Sequence, residues 1–340
     1  MDRYSRQTLF APIGVDGQKS IGEKHVLLIG AGALGTGNAE ALVRAGVGKI
    51  TIIDRDYVEW SNLQRQQLYC EKDAREKLPK AVAAKQRLQL INSEVEINAH
   101  VADVTADMLE ALVKKEEFDL LLDATDNFDI RMIINDVSQK HGVPWIYGAC
   151  VGSYGISFTV IPGESPCLQC LLKTVPLGGA TCDTVGIIAP AVGMVVAHQV
   201  AEALKILSGN VKDCNRKLVS FDLWKGQYVS LNVAGLKNTE CLSCGENKAY
   251  PYLSFENQTK TAVLCGRDSV QIRPAETMSR ELGVLKELLA TQGISAESNP
   301  YLMSFHVEGH RLVAFQDGRV LVHGTKDIVR AKTLYHRYLG

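Results

Sequence analysis

The sequence predicts an α/β fold: a doubly wound, mostly parallel, Rossmann-like sheet with antiparallel additions, followed by a small C-terminal α+β domain. Three observations lead to this fold class. Apolar strand-like runs alternate with helical patterns from residue 26 to residue 149, a glycine-rich loop follows the first run, and glycine-punctuated strands then replace the alternation. Such alternation is typical of parallel strands joined by helices that cover both faces of a sheet.

The parallel part of the sheet is predicted from short runs that are rich in aliphatic and β-branched residues. These strands are expected at residues 26–29, 49–54, 95–101, 118–124 and 145–149. Helical periodicity between them predicts helices at residues 34–45, 80–91, 106–115 and 131–141. Gly46 directly follows the first of these helices, as expected of a helix-ending glycine.

The pattern changes after Gly148, where glycines begin to separate the strands. A strand is predicted at residues 156–161, a long buried helix at 190–207, and two antiparallel edge strands at 217–221 and 228–233. The polar stretch 245–248 is the candidate linker to the last part of the chain. We therefore expect a main domain over residues 1–245.

The last part of the chain is predicted to form the small α+β domain. Strands are expected at residues 261–265 and 270–272, a helix at 279–291, a meander over 302–322 and a final helix at 326–338. Glu308-Gly309 and Asp317-Gly318 lie between apolar runs and predict hairpin turns. This extension covers residues 249–340, and the sequence does not assign it a role.

The composition limits the classes of function. The chain has 340 residues, with 37 Lys and Arg against 38 Asp and Glu, so no overall charge favours nucleic acid or an anionic membrane. The N-terminus lacks the pattern of a secretory signal, and the apolar run 187–197 is shorter than the roughly 20 residues that span a bilayer, so we expect a cytoplasmic protein. Nine cysteines in such a chain favour metal binding or catalysis over disulfides.

A glycine-rich loop and a carboxylate predict a nucleotide site. Gly30, Gly32 and Gly35 form a G-x-G-x-x-G that follows a predicted strand and opens a helix, where backbone N–H groups can bind phosphate. Asp54 ends the next strand, where a carboxylate can accept hydrogen bonds from ribose. A tight turn without a ligand is the alternative for the loop. NAD-dependent oxidoreductases share all of these features, so they do not choose between NAD and ATP.

Polar residues after Asp54 favour ATP over NAD. Asn62, Arg65, Gln66 and Lys80 add amides and two cations beyond the adenosine end of the site. A triphosphate needs such cations around its β and γ groups, whereas an NAD-dependent oxidoreductase would leave them without a task. Solvated surface charge is the alternative for each residue taken alone.

Asp126 follows a predicted strand, at the sheet edge where open α/β proteins bind ligands. A carboxylate at this position can hold Mg²⁺ bound to phosphate. It could equally cap the helix that begins near Phe128, and the two roles are compatible.

Two C-x-x-C pairs, Cys167 with Cys170 and Cys241 with Cys244, predict a closed structural Zn²⁺ site with four thiolate ligands. Redox dithiols and inert buried cysteines are the alternatives.

Six motifs together resemble the ThiF/MoeB/HesA family, which is related to the ubiquitin-activating enzymes. These motifs are Arg3-Tyr4-Ser5-Arg6-Gln7, Gly30 to Gly35, Ser61-Asn62-Leu63-Gln64-Arg65-Gln66, Pro79-Lys80, Thr125-Asp126-Asn127 and Thr181-Cys182. The resemblance covers about residues 1 to 245.

The resemblance implies an enzyme that binds Mg·ATP and adenylates the C-terminal glycine of a ubiquitin-fold sulfur carrier, ThiS for thiamine thiazole or MoaD for molybdopterin. It implies that Asp54 holds the ribose, that Asn62, Arg65 and Lys80 hold the phosphates, and that Asp126 serves the metal and the reacting centre. Arg6 would reach the ATP of a partner subunit, which implies a homodimer. A cysteine desulfurase or sulfurtransferase is a further implied partner. A non-catalytic subunit of the same fold is the remaining alternative.

Two cysteines outside the pairs carry separate hypotheses. Cys182 lies in a polar, glycine-rich stretch, and in relatives this position forms thioester or acyl-disulfide links to the carrier, although in some it is dispensable. A non-essential loop cysteine is the competing interpretation. Cys265 suggests a fused rhodanese, but the predicted strand that follows it and the shortness of the extension argue against that role.

Overall fold

Two short helices precede the sheet, and the sequence patterns did not predict either. In the computed structural model, α1 spans Ser5–Thr8 and α2 spans Gly14–Glu23. The α2 segment contains three glycines and buries only Gly17 and Ile21, so its helical form depends on packing against the rest of the fold. Gly17 packs closely on Ser208, where an added Cβ would lie 3.2 Å from the serine Cβ.

The structure describes residues 3–172, 185–254, 261–264, 269–272 and 281–339. The described residues up to Ser254, except Val185 and Gly186, form one compact unit, and those from Thr261 belong to a second.

The first unit contains an eight-stranded sheet in the order β3-β2-β1-β4-β5-β6-β7-β8. Its strands are β1 (His25–Ile29), β2 (Lys49–Asp54), β3 (Glu96–Val101), β4 (Leu120–Asp123), β5 (Trp145–Val151), β6 (Tyr154–Val160), β7 (Lys217–Asp222) and β8 (Gln227–Asn232). The pairs from β3 to β5 are parallel, and those from β5 to β8 are antiparallel. The predicted doubly wound sheet with antiparallel additions is therefore confirmed.

Helices cover both faces of this sheet. They are α3 (Ala33–Ala45), α4 (Glu71–Arg75), α5 (Lys80–Ile91), α6 (Ala106–Lys115), α7 (Phe128–His141), α8 (Leu168–Leu172) and α9 (Ala189–Leu207). Strand β1 is buried throughout: Val26 and Leu28 belong to the core on one face, and Leu27 and Ile29 to the core on the other. Burial on both faces explains why the parallel strands appear as continuous apolar runs.

Helix α7 begins three residues before the predicted start at residue 131. The Asn127 side chain accepts hydrogen bonds from the backbone N–H groups of Asp129 and Ile130 and so caps the helix. The capping role considered for Asp126 is therefore wrong, because its neighbour Asn127 fills it.

Helix α9 is, within the described ranges, the one helix long and apolar enough to cross a membrane by length and composition. It packs against α3, β5 and β6 and buries two polar side chains, Gln199 and Glu202. These contacts are those of a core helix, as the sequence predicted.

The second unit contains a six-stranded antiparallel sheet in the order β11-β12-β13-β14-β10-β9. Its elements are β9 (Thr261–Leu264), β10 (Ser269–Ile272), α10 (Leu282–Thr291), β11 (Ala296–Ser298), β12 (Leu302–Val307), β13 (His310–Phe315), β14 (Val320–His323) and α11 (Ile328–Tyr338). Both residues of the Glu308-Gly309 turn have positive φ, 48° and 78°, which matches the predicted two-residue hairpin.

Candidate active site

The three glycines of the nucleotide loop meet different surroundings. A Cβ on Gly30, which has a φ of +97°, would lie 2.5 Å from the carbonyl oxygen of Ala124, and a Cβ on Gly35 would overlap the carbonyl oxygen of Gly30. These two glycines are therefore required by packing. A Cβ on Gly32 would meet nothing nearer than Gln66 Nε2, at 3.9 Å. The space at Gly32, the N-cap of α3, is thus open to a ligand phosphate.

Asp54, at the end of β2, anchors this loop. Its Oδ2 accepts a 2.6 Å hydrogen bond from the backbone N–H of Ala31, and its Oδ1 accepts a 2.7 Å bond from that of Asp56. Burial raises the pKa of Asp54, while nearby Lys80 acts in the opposite direction. Each carboxylate oxygen retains a further lone pair, so the residue can orient the loop and still accept a bond from a ribose hydroxyl.

Lys80 is buried at the first position of α5. Its Nζ lies 3.3 Å from Asp56 Oδ2. The hydroxyl of Tyr69 is 2.6 Å from the carbonyl oxygen of Ala31 and 3.1 Å from that of Lys80. Tyr69 therefore fixes the start of α5 against the glycine loop, and it brings Lys80 close to the phosphate end of the site.

The segment after Asp54 folds back on the same loop. Gln66 is buried beside Gly32, and its Oε1 has no hydrogen-bond partner. A buried amide oxygen without a hydrogen-bond partner is costly, so it is consistent with a site built for a polar ligand. Asn62 Oδ1 instead accepts the backbone N–H of Glu59 at 3.0 Å. The half-buried Arg65 donates to the carbonyl oxygen of Ser61 at 2.9 Å, so neither Asn62 nor Arg65 is held against the loop.

Asp126 is exposed in the loop between β4 and α7. Its carboxylate influences Arg55, the residue that follows β2. Burial lowers the pKa of Arg55, but the carboxylates of Asp103, Asp56 and Asp126 outweigh burial and raise it above its usual range. Strands β2 and β4 both run parallel to β1, so Asp126, just after β4, and Asp54, at the end of β2, lie at the same rim of the sheet. An exposed carboxylate beside a phosphate site suits Mg²⁺, which keeps part of its water shell.

A buried ion pair that the sequence patterns did not predict lies next to the turn that carries Asp126. Arg131 Nε lies 2.9 Å from Asp123 Oδ2, and Arg131 also donates to the carbonyl oxygen of Thr125 at 2.6 Å. The hydroxyl of Thr125 donates to Asp123 at 2.7 Å. These bonds fix the turn that carries Asp126. The carboxylate at the end of an apolar strand was a usable signal, but its partner eight residues later was not visible in the pattern.

Gln199, on α9, was also missed. Its Nε2 donates to the carbonyl oxygen of Asp123 at 2.8 Å, and its Oε1 accepts from Asn38 at 2.7 Å. A Cβ on Gly148 would lie 2.5 Å from this amide. Gln199 therefore joins α3, β4 and β5 beneath the site through bonds that only the tertiary fold creates.

Two candidates from the sequence are not placed with these residues. Arg6 is exposed on α1, which packs against α2, so a single chain does not bury it in the site. Cys182 lies outside the described residues, as does Cys265.

The four paired cysteines come together in a buried cluster. The sulfur of Cys167 is 3.9 Å from that of Cys170 and 3.7 Å from that of Cys241, and the sulfurs of Cys170 and Cys244 are 3.5 Å apart. A Zn–S bond of about 2.3 Å gives a tetrahedron with edges of about 3.8 Å. The donor set and its spacing could therefore hold a metal ion such as zinc.

A second set of polar contacts supports the cysteine cluster. Gln169 Oε1 accepts from the Cys241 thiol at 3.4 Å and from the hydroxyl of Ser243 at 2.6 Å. The Ser243 hydroxyl also contacts the carboxyl group of Asp136 on α7, and Asp136 accepts the backbone N–H of Tyr252 at 2.9 Å. Such contacts orient metal ligands, and here they connect both cysteine pairs to the main sheet.

The family model for the ThiF family matches residues 4–243. The chain belongs to the ThiF family. Its match spans the sheet, the nucleotide loop and three of the four clustered cysteines, so the resemblance inferred from six motifs is confirmed.

Curated relatives of this ThiF-family chain are adenylyltransferases. It is 54% identical over 338 residues to "Sulfur carrier protein ThiS adenylyltransferase" of Bacillus subtilis (strain 168), covering 99% of each chain. It is 35% identical over 248 residues to "Molybdopterin-synthase adenylyltransferase" of Escherichia coli (strain K12), covering 72% of this chain and 97% of the relative.

Solved structures agree on the fold. A crystal structure of E. coli MccB with ATP matches with a TM-score of 0.61 at 22% identity, covering 72% of this chain and 75% of that one. At this identity the likeness shows the fold alone.

Proposed function

We propose that this chain is an ATP-dependent adenylyltransferase that activates the C-terminal glycine carboxylate of a ubiquitin-like sulfur carrier of the ThiS type. The observation that carries the proposal is the 54% identity to a ThiS adenylyltransferase over 99% of both chains. The molybdopterin-synthase relative covers only 72% of this chain. The 54% identity to a ThiS adenylyltransferase, against 35% to the molybdopterin-synthase relative, therefore favours ThiS over MoaD, and with it thiamine biosynthesis.

The reaction joins two anions. An oxygen of the carrier carboxylate attacks the α-phosphorus of ATP, the bond to the β-phosphate oxygen breaks, and pyrophosphate leaves with that electron pair. The attacking carboxylate is already ionised, so no side chain is needed to remove a proton. Catalysis then consists of positioning and charge neutralisation, and the N–H groups at the start of α3, Lys80 and Arg65 are the groups proposed to supply them.

Lys80 is the cation proposed to bind the triphosphate. Its ammonium group lies 3.3 Å from Asp56 Oδ2. An ammonium group has three N–H donors, so Lys80 could keep this contact and still donate to a phosphate oxygen above the glycine loop. Mg²⁺ held by Asp126 would supply further positive charge at the phosphates when bound.

We propose that the carrier docks on the antiparallel end of the sheet. Apolar side chains are exposed there: Trp224 is 82% and Tyr228 54% accessible, and Tyr154 and Leu223 lie beside them in the strand pairing. Tyr154 pairs across from the end of β5, so this surface faces the same edge of the sheet as the nucleotide loop. Edge strand β8 also leaves backbone groups available for a partner.

The distance from this surface to the loop suits a substrate with a flexible tail. Four strand spacings separate β1 from β7, which is about 19 Å. An extended tail of about six residues covers about 20 Å. A carrier seated on the hairpin could thus deliver its C-terminal glycine to the α-phosphorus.

Arg6 is proposed to act in trans within a homodimer. Mixed dimers of Arg6→Ala and Lys80→Ala chains test this directly, since each mixed dimer would contain one intact site. Recovery of about a quarter of wild-type activity on statistical mixing is the expected result. No recovery would place both residues in the same chain's site.

Cys182 is proposed to accept the activated acyl group. Its thiolate would attack the acyl-adenylate carbonyl, forming a thioester and releasing AMP. Mass spectrometry of chain, carrier and ATP, with Cys182→Ala as control, distinguishes this step from a non-essential loop cysteine.

The nucleotide assignment is tested by titration and exchange. ATP is expected to bind and NAD is not, and Arg65→Ala, Lys80→Ala and Asp126→Ala are each expected to suppress carrier-dependent ATP–pyrophosphate exchange while the chain stays folded. Unchanged exchange in all three variants would refute the assignment. Binding of ATP without exchange would instead favour a non-catalytic subunit of the same fold.

A further inference from the structure

A side chain of the first C-x-x-C pair contacts the second pair. The amide end of Gln169 lies 3.4 Å from the sulfur of Cys241 and 2.6 Å from the hydroxyl oxygen of Ser243. Ser243 is fully buried and also contacts the carboxyl group of Asp136 on α7. An amide, a hydroxyl and a carboxyl group therefore form a continuous polar chain that ends at one sulfur of the cluster.

The hydrogens available in this chain decide which end of the Gln169 amide faces the sulfur. A cysteine binds zinc as a thiolate, which accepts hydrogen bonds and cannot donate them. With the Gln169 oxygen towards Cys241, two acceptors would face each other. The single hydroxyl proton of Ser243 would also have to serve both Gln169 and the Asp136 carboxylate. That direction suits a thiol at Cys241 and not a metal-bound thiolate.

The opposite direction of the amide satisfies every group. The NH2 group of Gln169 then donates one hydrogen to the Cys241 thiolate and the other to Ser243 Oγ, which leaves the hydroxyl proton of Ser243 for Asp136 Oδ1. Asp136 Oδ2 accepts the backbone N–H of Tyr252 at 2.9 Å, so both oxygens of the carboxylate have a donor. The nitrogen and oxygen of an amide are nearly equal in size, so the exchange needs no extra space.

We infer that Gln169 donates an amide N–H to the Cys241 thiolate when this cysteine holds a metal ion. Gln169 is then a positioning residue that connects the first cysteine pair to a ligand of the second, while Ser243 and Asp136 fix the direction of the amide. This role belongs to the metal site and does not depend on the proposed adenylation. Polar groups of this kind typically change metal affinity about ten- to a hundredfold.

The Gln169→Glu variant separates the two directions. Glutamate has nearly the same shape as glutamine, but its carboxylate only accepts, so it would accept from a thiol and repel a thiolate. We expect the zinc dissociation constant of the full-length variant to rise about tenfold or more, measured by competition with a chromophoric chelator. Gln89→Glu, at an exposed position of α5, adds the same charge and is expected to keep the wild-type affinity.

Cobalt in place of zinc gives a readout that does not depend on affinity. Thiolate-bound Co²⁺ absorbs through charge transfer from sulfur to metal, and a thiolate that loses an N–H donor gives up its electrons more easily. Gln169→Leu removes the donor without adding charge, so its charge-transfer band is expected to move to longer wavelength than in wild type.

Two results would overturn the role of Gln169. Wild-type zinc affinity in Gln169→Glu would mean that the amide oxygen faces the sulfur. An unchanged cobalt band in Gln169→Leu would mean that the side chain only fills space beside the cluster. If Gln169→Glu does not fold, Gln169→Leu decides by both measurements, and wild-type values in that variant would refute the inference.

Discussion

Single residues in this chain connect the fold to the chemistry of the site. Tyr69 is the clearest example, since one buried hydroxyl contacts the backbone of both the glycine loop and the first residue of α5. Its position holds Lys80 at a fixed distance from the space at Gly32. Neither contact is visible in the sequence, where Tyr69 is simply an aromatic residue after a polar segment.

Substitution of Tyr69 by Phe removes this hydroxyl and keeps the ring. We expect the free energy of unfolding to fall by about 1–2 kcal/mol and the KM for ATP to rise more than kcat falls, because two buried carbonyls lose a partner and Lys80 is less well placed. Denaturant unfolding and steady-state kinetics measure the two effects. Tyr301→Phe, in the loop before β12, is the control and should change neither stability nor the KM for ATP. Equal effects in both variants would contradict the role of Tyr69.

Protonation of a single residue, His25, is expected to make the stability of the folded chain depend on pH. Its Nδ1 is 3.1 Å from the carbonyl oxygen of Glu117, and its Nε2 is 2.9 Å from the hydroxyl of Thr51. The carbonyl can only accept, so Nδ1 carries the proton and the neutral ring satisfies both bonds. Burial, and then Lys49, lower the pKa of His25, with Glu116 opposing them.

A lowered pKa means that the unfolded chain binds a proton more readily than the folded chain. The stability from neutral His25 is complete above about pH 6.5, its unfolded pKa, and is lost as the pH falls through the folded value. Denaturant unfolding between pH 7.5 and 5 is expected to show this loss, with a smaller slope in His25→Gln. The same slope in both proteins would assign the effect to other groups.

Among the elements, the turn between β4 and α7 divides two roles, helix capping and metal binding, between two neighbouring residues. Asn127 caps the helix, while Asp126 is exposed at the rim. From the sequence alone Asp126 is a candidate for both roles, because Asp and Asn are both good caps and only the backbone geometry distinguishes them.

Two substitutions separate these tasks. Asn127→Ala is expected to lower the free energy of unfolding by about 1 kcal/mol through loss of the cap. Asp126→Ala is expected to leave stability unchanged and to suppress nucleotide exchange. Denaturant unfolding of both variants measures the difference, and an equal loss of stability in Asp126→Ala would contradict this division.

The cysteine cluster joins elements that are distant in sequence. Cys167 and Cys170 lie at α8, while the other pair follows the last strand of the main sheet. We expect about one zinc per chain by elemental analysis of protein purified without chelator. Cys241→Ser should lower the melting temperature and the zinc content together, because metal binding is coupled to folding. Cys214→Ser is a control at a buried cysteine outside the cluster and should keep the zinc; absence of stoichiometric zinc from wild type would refute the site.

Over the whole molecule, the sequence predicted the fold class, the positions of the main strands along the chain, and the glycine loop with Asp54 at the end of the next strand. Continuous apolar runs such as 26–29 identify buried parallel strands directly. What it could not predict depends on long-range contacts. Helix α2 forms where Gly17 packs against Ser208, and the Asp123–Arg131 pair exists only once β4 and α7 meet.

Adenylation of a ThiS-type carrier protein by this chain can be measured as ATP–pyrophosphate exchange. The decisive experiment uses purified ThiS and MoaD, each with and without its C-terminal glycine. We expect exchange with intact ThiS, weaker or no exchange with MoaD, and none when the glycine is removed. Exchange with neither carrier, or exchange that does not depend on the terminal glycine, would contradict it.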